Sequence, residues 1–290
     1  MKLRRRRNGD AAPVETPTLE LGATSCVLAT SIPKSGTHLV RELLTYLNRW
    51  RHIGHLHYTG GPQAAMTHRR FDEARENVTG QPEDLIAQLR DGLFLQAHCI
   101  WTPAVSAEVG RARRGRHLRT LFIQRDPRDV LVSLTRYLVR DGVGYRSPLD
   151  QTTREALTDG SMSPAEQLHY VIEHHPFSMY PDFARWRDDA HAYTLRFEDL
   201  AADFDRLNSP EVDPSERWGP TLRGMADHLG LRLSHINAGH LVSQVWGRGE
   251  TATGDAAGRQ RKFERHFDDS HHAAFDKAGG GEALRALGYS

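Results

Sequence analysis

The chain is poor in cysteine. Its 290 residues include only Cys26 and Cys99, too few for the disulfide framework of a small secreted scaffold. Both sit beside apolar, strand-like runs, which points to buried, reduced thiols. Long hydrophobic runs are also missing, and no window approaches the ~18 apolar residues of a membrane-spanning helix. The opening MKLRRRRNGD carries a run of arginines, but AAPVETPTLE supplies no apolar signal-peptide segment after it. Residues 1–20 are expected to form a mobile basic tail, on a protein expected to be soluble and cytoplasmic. Charge of one sign is absent as well. Lysine and arginine number 38 against 37 acidic residues, for a net charge of +1, without the basic excess of a dedicated nucleic-acid binder. No internal repeat is evident. With 38% hydrophobic and 26% charged residues, the rest of the chain, 21–290, is expected to be a single packed domain.

What is present is an alternation of strands and helices. CVLATSI (Cys26 to Ile32) is a short apolar run of β-formers. A Pro-Lys-Ser-Gly turn follows. THLVRELLTYLNRW then places Leu39, Val40, Leu43, Leu44 and Leu47 on one helical face. A glycine-bearing turn between strand and helix can present backbone N–H groups to a phosphate at the helix N-terminus. In the ATP- and GTP-binding loop G-x-x-x-x-G-K-[ST], however, the lysine follows the last glycine. Here Lys34 precedes Gly36.

Residues 51–82 are polar and rich in glycine, histidine and arginine, and read as a long excursion or lid. His52, His55 and His57 lie close together there, but no carboxylate or cysteine completes a metal site at ligand spacing. LFLQAHC (Leu93 to Cys99) reads as a strand with His98 near its end. RARRGRH (Arg111 to His117) reads as a solvated connection. LRTLFIQ is a buried strand running into RDPRDVLVSLTRYLVR, where Asp126 suits an N-cap and Pro127 the first helical turn. Residues 141–165 read as loop, with helices expected at Pro164–His174 and around Pro181–Asp188. AYTLRFEDL is a further strand ending near Glu198. TLRGMADHLGL is a helix closed by Gly230. The glycine-rich 247–260 reads as loose chain, followed by a helical C-terminal region. This order predicts an α/β fold with a central parallel β-sheet flanked by helices. Ligands then belong at the C-terminal ends of the strands, where Lys34, His98, Arg125 and Glu198 fall.

These segments carry a family resemblance. PKSGTHLV resembles the P-K-S-G-T-T-W loop of the sulfotransferases that use 3′-phosphoadenosine 5′-phosphosulfate (PAPS). QRDPRDVLVSLTRY is similar to their R-[ND]-P-[KR]-D-x-x-x-S motif, and LQAHC corresponds in place to their K-T-H segment. The three motifs occur in the family's order, and the resemblance spans most of residues 26–200. It implies a P-loop-like sulfotransferase fold, PAPS as donor and PAP as product. It places Lys34, Ser35, Gly36, Thr37 and His38 on the 5′-phosphosulfate, Arg125 and Ser133 on the 3′-phosphate, and His98 as general base. WGRGETATG resembles the late glycine-rich element, matching Arg248 and Gly249, with Arg259 or Arg261 as alternatives. The pattern departs in three places. Leu39 stands for the loop tryptophan, His38 for a threonine, and Phe197-Glu198-Asp199 for Tyr-Glu-Asp, so Phe197 takes the position of an adenine-side tyrosine.

The residue chemistry agrees with that resemblance. Lys34 can meet charge that develops on the oxygen bridging sulfur and phosphorus. Amides of Ser35, Gly36 and Thr37 can face the phosphate. Arg125 offers a planar fork. Sulfuryl transfer then needs placement and charge neutralisation rather than a metal. Structural alternatives exist for each residue: a solvated Lys34, an Arg125 paired with Asp126 or Asp129, a Ser133 that is only a small helix contact, and a core His98 bonded to a backbone carbonyl. Asp129 reads as structural. The expected reaction moves a sulfuryl group to a hydroxyl, or secondarily an amine, of a small acceptor such as a phenol, sugar, lipid headgroup or natural product. The rival classes are a P-loop kinase using ATP and a non-catalytic nucleotide-binding protein.

Overall fold

The structure is a computed structural model that describes residues 25–48, 50–60, 64–68, 76–140, 151–213, 216–246 and 261–290. The basic tail, Arg248, Gly249 and Arg259 lie outside the described residues.

Among the described residues seven strands form one sheet, in the order β4-β3-β2-β5-β1-β6-β7. In chain order they are β1 (Val27–Ser31), β2 (Arg51–Tyr58), β3 (Ala64–His68), β4 (Glu76–Gly80), β5 (Leu93–Cys99), β6 (Arg119–Gln124) and β7 (Ala192–Arg196). The five strands from β2 to β7 in the spatial order pair in parallel. β3 and β4 extend the β2 edge antiparallel. The expected central parallel sheet is therefore present, with an antiparallel extension.

That extension corrects the reading of residues 51–82 as an excursion. Leu56 on β2 is buried, but its neighbours His55 and His57 point to the opposite face. The apolar alternation of a half-buried strand is thus written in histidine, and a register shift between His52 and Gly54 breaks the period further.

Helices cover both faces. Val27, Ala29, Phe94, Leu121 and Ile123 project into one core. There they meet α1 (Thr37–Asn48), α8 (Phe197–Asn208), α9 (Pro220–Leu229) and α10 (Ala238–Val245). The alternating residues Leu28, Leu95, Ala97 and Phe122 project into the other. That face carries α2 (Pro82–Ile86), α3 (Pro103–Arg116), α4 (Pro127–Arg140), α5 (Gln151–Thr158), α6 (Pro164–His174), α7 (Tyr180–Ala184), α11 (Asp269–Lys277) and α12 (Gly280–Leu287). RARRGRH is the end of α3 rather than a connection, and α5 interrupts the expected 141–165 loop. Gly230 closes α9 at φ 74°, as its position suggests. Both cysteines are buried and free. No helix among the described residues is long and apolar enough to cross a membrane.

The chain leaves β1 toward β2 on one side, while β6 leads toward β7 on the other. The crevice of this open sheet therefore lies at the C-terminal ends of β1 and β6, where the strand order reverses.

Candidate active site

The loop after β1 is tightly wound. Lys34 adopts φ 66° and Gly36 φ 97°. A left-handed lysine is an uncommon, strained conformation of the kind that clusters at ligand sites. A Cβ on Gly36 would lie 2.5 Å from Cδ2 of Phe197, so glycine is required for both space and conformation. The first bond of α1 runs from the Val40 amide to the Gly36 carbonyl, 3.2 Å. The amides of Gly36 and Thr37 thus precede the helix ladder and sit at its positive end. The Ser35 amide donates to the Ile32 carbonyl at 3.2 Å to close the turn. Its hydroxyl, fully buried, has no hydrogen-bond partner among the described residues.

Arg125, at the end of β6, reaches back to this loop. Its guanidinium donates to the Lys34 carbonyl at 3.4 Å and to Asp129 Oδ2 at 3.2 Å. It also lies 4.3 Å over the Phe197 ring. The ion pair with Asp129 foreseen as the structural alternative is therefore present, while Asp126 pairs with Arg128 at 2.7 Å. Asp126 also caps α4, accepting from the Arg128 amide at 2.9 Å.

Asp129, Ser133 and Tyr137 are spaced four residues apart on α4 and share one face. Arg125 contacts the first of them, and the Lys34 ammonium lies 4.1 Å over the ring of the third. Half-buried Ser133 lies between Asp129 and Tyr137 on that face. Glu198 braces the turn after β6: it accepts from the Asp126 amide at 2.9 Å and from the Tyr289 hydroxyl at 2.8 Å. Phe197, expected on the adenine side, packs against Gly36 and beneath Arg125. Arg261 is exposed and pairs with Glu264 at 2.6 Å.

His98 is only 4% exposed. Its Nδ1 donates to the Ser31 carbonyl at 2.9 Å, and the Ser31 hydroxyl lies 3.1 Å from the same nitrogen. A carbonyl oxygen only accepts, so Nδ1 carries the proton and Nε2 keeps its lone pair. The carbonyl bond foreseen for a core histidine is thus the one that fixes this tautomer. The Ser31 hydroxyl is also 2.6 Å from Thr37 Oγ1, which links the histidine to the start of α1. Burial, followed by the charges of His57, His38 and Lys34, pushes the His98 pKa down to about 3. The imidazole is neutral at ordinary pH.

β2 brings further histidines beside it. His57 pairs in register with His98, and His55 with Gln96. The His55 ring is stacked 4.3 Å from His57 and lies 4.6 Å from His98. Only the β2–β5 pairing reveals this cluster, which sequence separation hides. Among the described residues no group of three ligating side chains is arranged to hold a metal ion.

The fold has a counterpart among solved structures. The crystal structure of mouse sulfotransferase SULT7A1 complexed with PAP matches with a TM-score of 0.52 and 12% sequence identity, over 90% of this chain and 84% of that one. The chain has a sulfotransferase-like fold. No protein-family model and no curated protein sequence matches it.

Proposed function

We propose that the protein is a PAPS-dependent sulfotransferase acting on a hydroxyl of a small molecule. The observation that carries this reading is the position of Arg125, whose guanidinium joins the Lys34–Thr37 loop to the Ser133 face of α4. Two anion subsites adjoin there, one at a helix N-terminus and one at an arginine fork, which suits a nucleotide charged at both its 5′ and 3′ positions. Buried Ser35 Oγ supplies a further polar atom with no hydrogen-bond partner among the described residues, as a site shaped for a polar ligand requires.

In this reading Lys34, the amides of Gly36 and Thr37, and His38 hold the 5′-phosphosulfate. Arg125 and Ser133 hold the 3′-phosphate, with Arg248 and Gly249 contributing from the late glycine-rich element. PAPS, when bound, supplies the sulfuryl group. His98 Nε2 accepts the acceptor's proton as the acceptor oxygen bonds to sulfur. The electrons of the cleaved sulfur–oxygen bond stay on the phosphate oxygen, whose charge Lys34 neutralises. A polyanion beside Lys34 and the histidines also raises the basicity of His98, which burial holds low. The protein then acts as a soluble cytoplasmic enzyme folded as one domain over 21–290.

The test compares ligands by thermal shift. PAP at ~100 times its Kd should stabilise the protein by about 2.7 kcal/mol, with ATP far less effective. Stabilisation by ATP equal to that by PAP would favour the kinase class instead.

A further inference from the structure

We infer that Asp129 is the positioning residue that gives this chain its preference for a 3′-phosphorylated nucleotide. The inference rests on the sulfotransferase reading and assigns a role that reading leaves open. Asp129 is fully buried, and a buried carboxylate is costly unless both its oxygens are satisfied. Oδ2 accepts from Arg125 at 3.2 Å, and Oδ1 accepts from the backbone amide of Phe263 at 3.0 Å. Neither bond serves α4 itself. An acidic residue in a first helical turn ordinarily caps that helix or answers its dipole, but Asp126 already caps this one. Asp129 is therefore committed to two partners outside its own helix.

One of those partners is the guanidinium assigned to the 3′-phosphate. The other is the 3-10 turn Lys262–Arg265, which follows Arg261 at the end of the stretch 247–260. The turn is held a second time where Arg128 lies 4.0 Å over the Phe263 ring. A carboxylate against Arg125 withdraws part of the charge the arginine would offer a phosphate, so on electrostatics alone it weakens binding. Its compensating effect is geometric. The Phe197 ring, the Lys34 carbonyl and Asp129 together fix the plane of the fork, and a fixed fork is what two-point phosphate recognition needs. Through the Phe263 amide, the same carboxylate ties the orientation of Arg125 to the segment emerging from the late glycine-rich region.

Asp129→Asn is the direct test. The amide keeps the size and can still accept from Phe263, but it turns an N–H toward Arg125. Calorimetry should show PAP affinity falling roughly tenfold or more while adenosine 5′-phosphate affinity changes little. The ratio of the two is the readout, because a general loosening of the fold would weaken both equally. An unchanged ratio, or a parallel loss of both ligands, overturns the inference. A wild-type protein that binds the two nucleotides equally overturns the nucleotide reading itself, which is a different result. Should the variant fail to fold, hydrogen exchange on the wild type decides. PAP, and not adenosine 5′-phosphate, should slow exchange of the Phe263 amide, and equal protection by both overturns the proposal.

Discussion

Replacing Gly36 with alanine probes the loop, the ring and the arginine together. At φ 97° a side chain is strained, at a cost of roughly 1–3 kcal/mol. The new Cβ would also sit 2.5 Å from Cδ2 and 3.0 Å from Cε2 of Phe197. Phe197 is a buried residue where β7 runs directly into α8, so relief means displacing the ring, at roughly another 1–3 kcal/mol. A total of about 2–6 kcal/mol lies below the stability of most domains, and the variant should still fold. The displaced ring carries the Arg125 guanidinium, 4.3 Å above it. PAP affinity should therefore fall as well, by about tenfold for each 1.4 kcal/mol of binding free energy lost. Urea denaturation and PAP calorimetry measure the two effects. In the Gly36→Ala/Phe197→Ala double variant the steric part disappears and the backbone strain remains, which predicts a coupling of about 1–3 kcal/mol. A Gly36→Ala protein within about 0.5 kcal/mol of wild type, or effects that simply add in the double variant, would refute the reasoning.

Two further outcomes are expected. Burial holds the His98 pKa near 3 and that of His175 near 4, both below the ordinary histidine value. The unfolded chain then binds more protons than the folded one in acid. Stability should be fully present above pH ~6.5 and fall as pH drops toward the folded values, by up to about 1.4 kcal/mol per pH unit for each group. Denaturation midpoints from pH 7 to 5 measure this, and His98→Gln should make the slope shallower; an unchanged slope would mean that His98 titrates normally. Transfer from PAPS should also survive EDTA, because Lys34 and the loop amides supply the positive field, whereas loss of turnover restored by magnesium would point to the kinase class.

The site was legible where buried strands run straight into chemically distinctive turns. The apolar segments before Lys34 and Arg125 and the helical stripes after them define β1–α1 and β6–α4 without tertiary information. β2 was not legible, because the face it turns toward His98 is histidine rather than aliphatic. α3 was missed for a related reason. Its buried Val105, Val109 and Ala112 do follow helical spacing, but arginines crowd its last two turns and resemble a solvated loop. Asp129 looked structural because its partner Phe263 lies 134 positions away. Tyr289, which bonds Glu198 from the end of the chain, carries no local signal of that contact.

The central claim is that His98 removes the acceptor's proton in a site that holds PAP independently of it. The direct measurement pairs PAP calorimetry with turnover of PAPS over a panel of phenols, sugars and amines, for wild type and His98→Gln. Wild type should turn over, the variant should lose about 10²–10⁴ in rate, and its PAP affinity should stay within a few-fold of wild type. A variant that transfers sulfuryl at near the wild-type rate, or that loses PAP binding along with turnover, would contradict it.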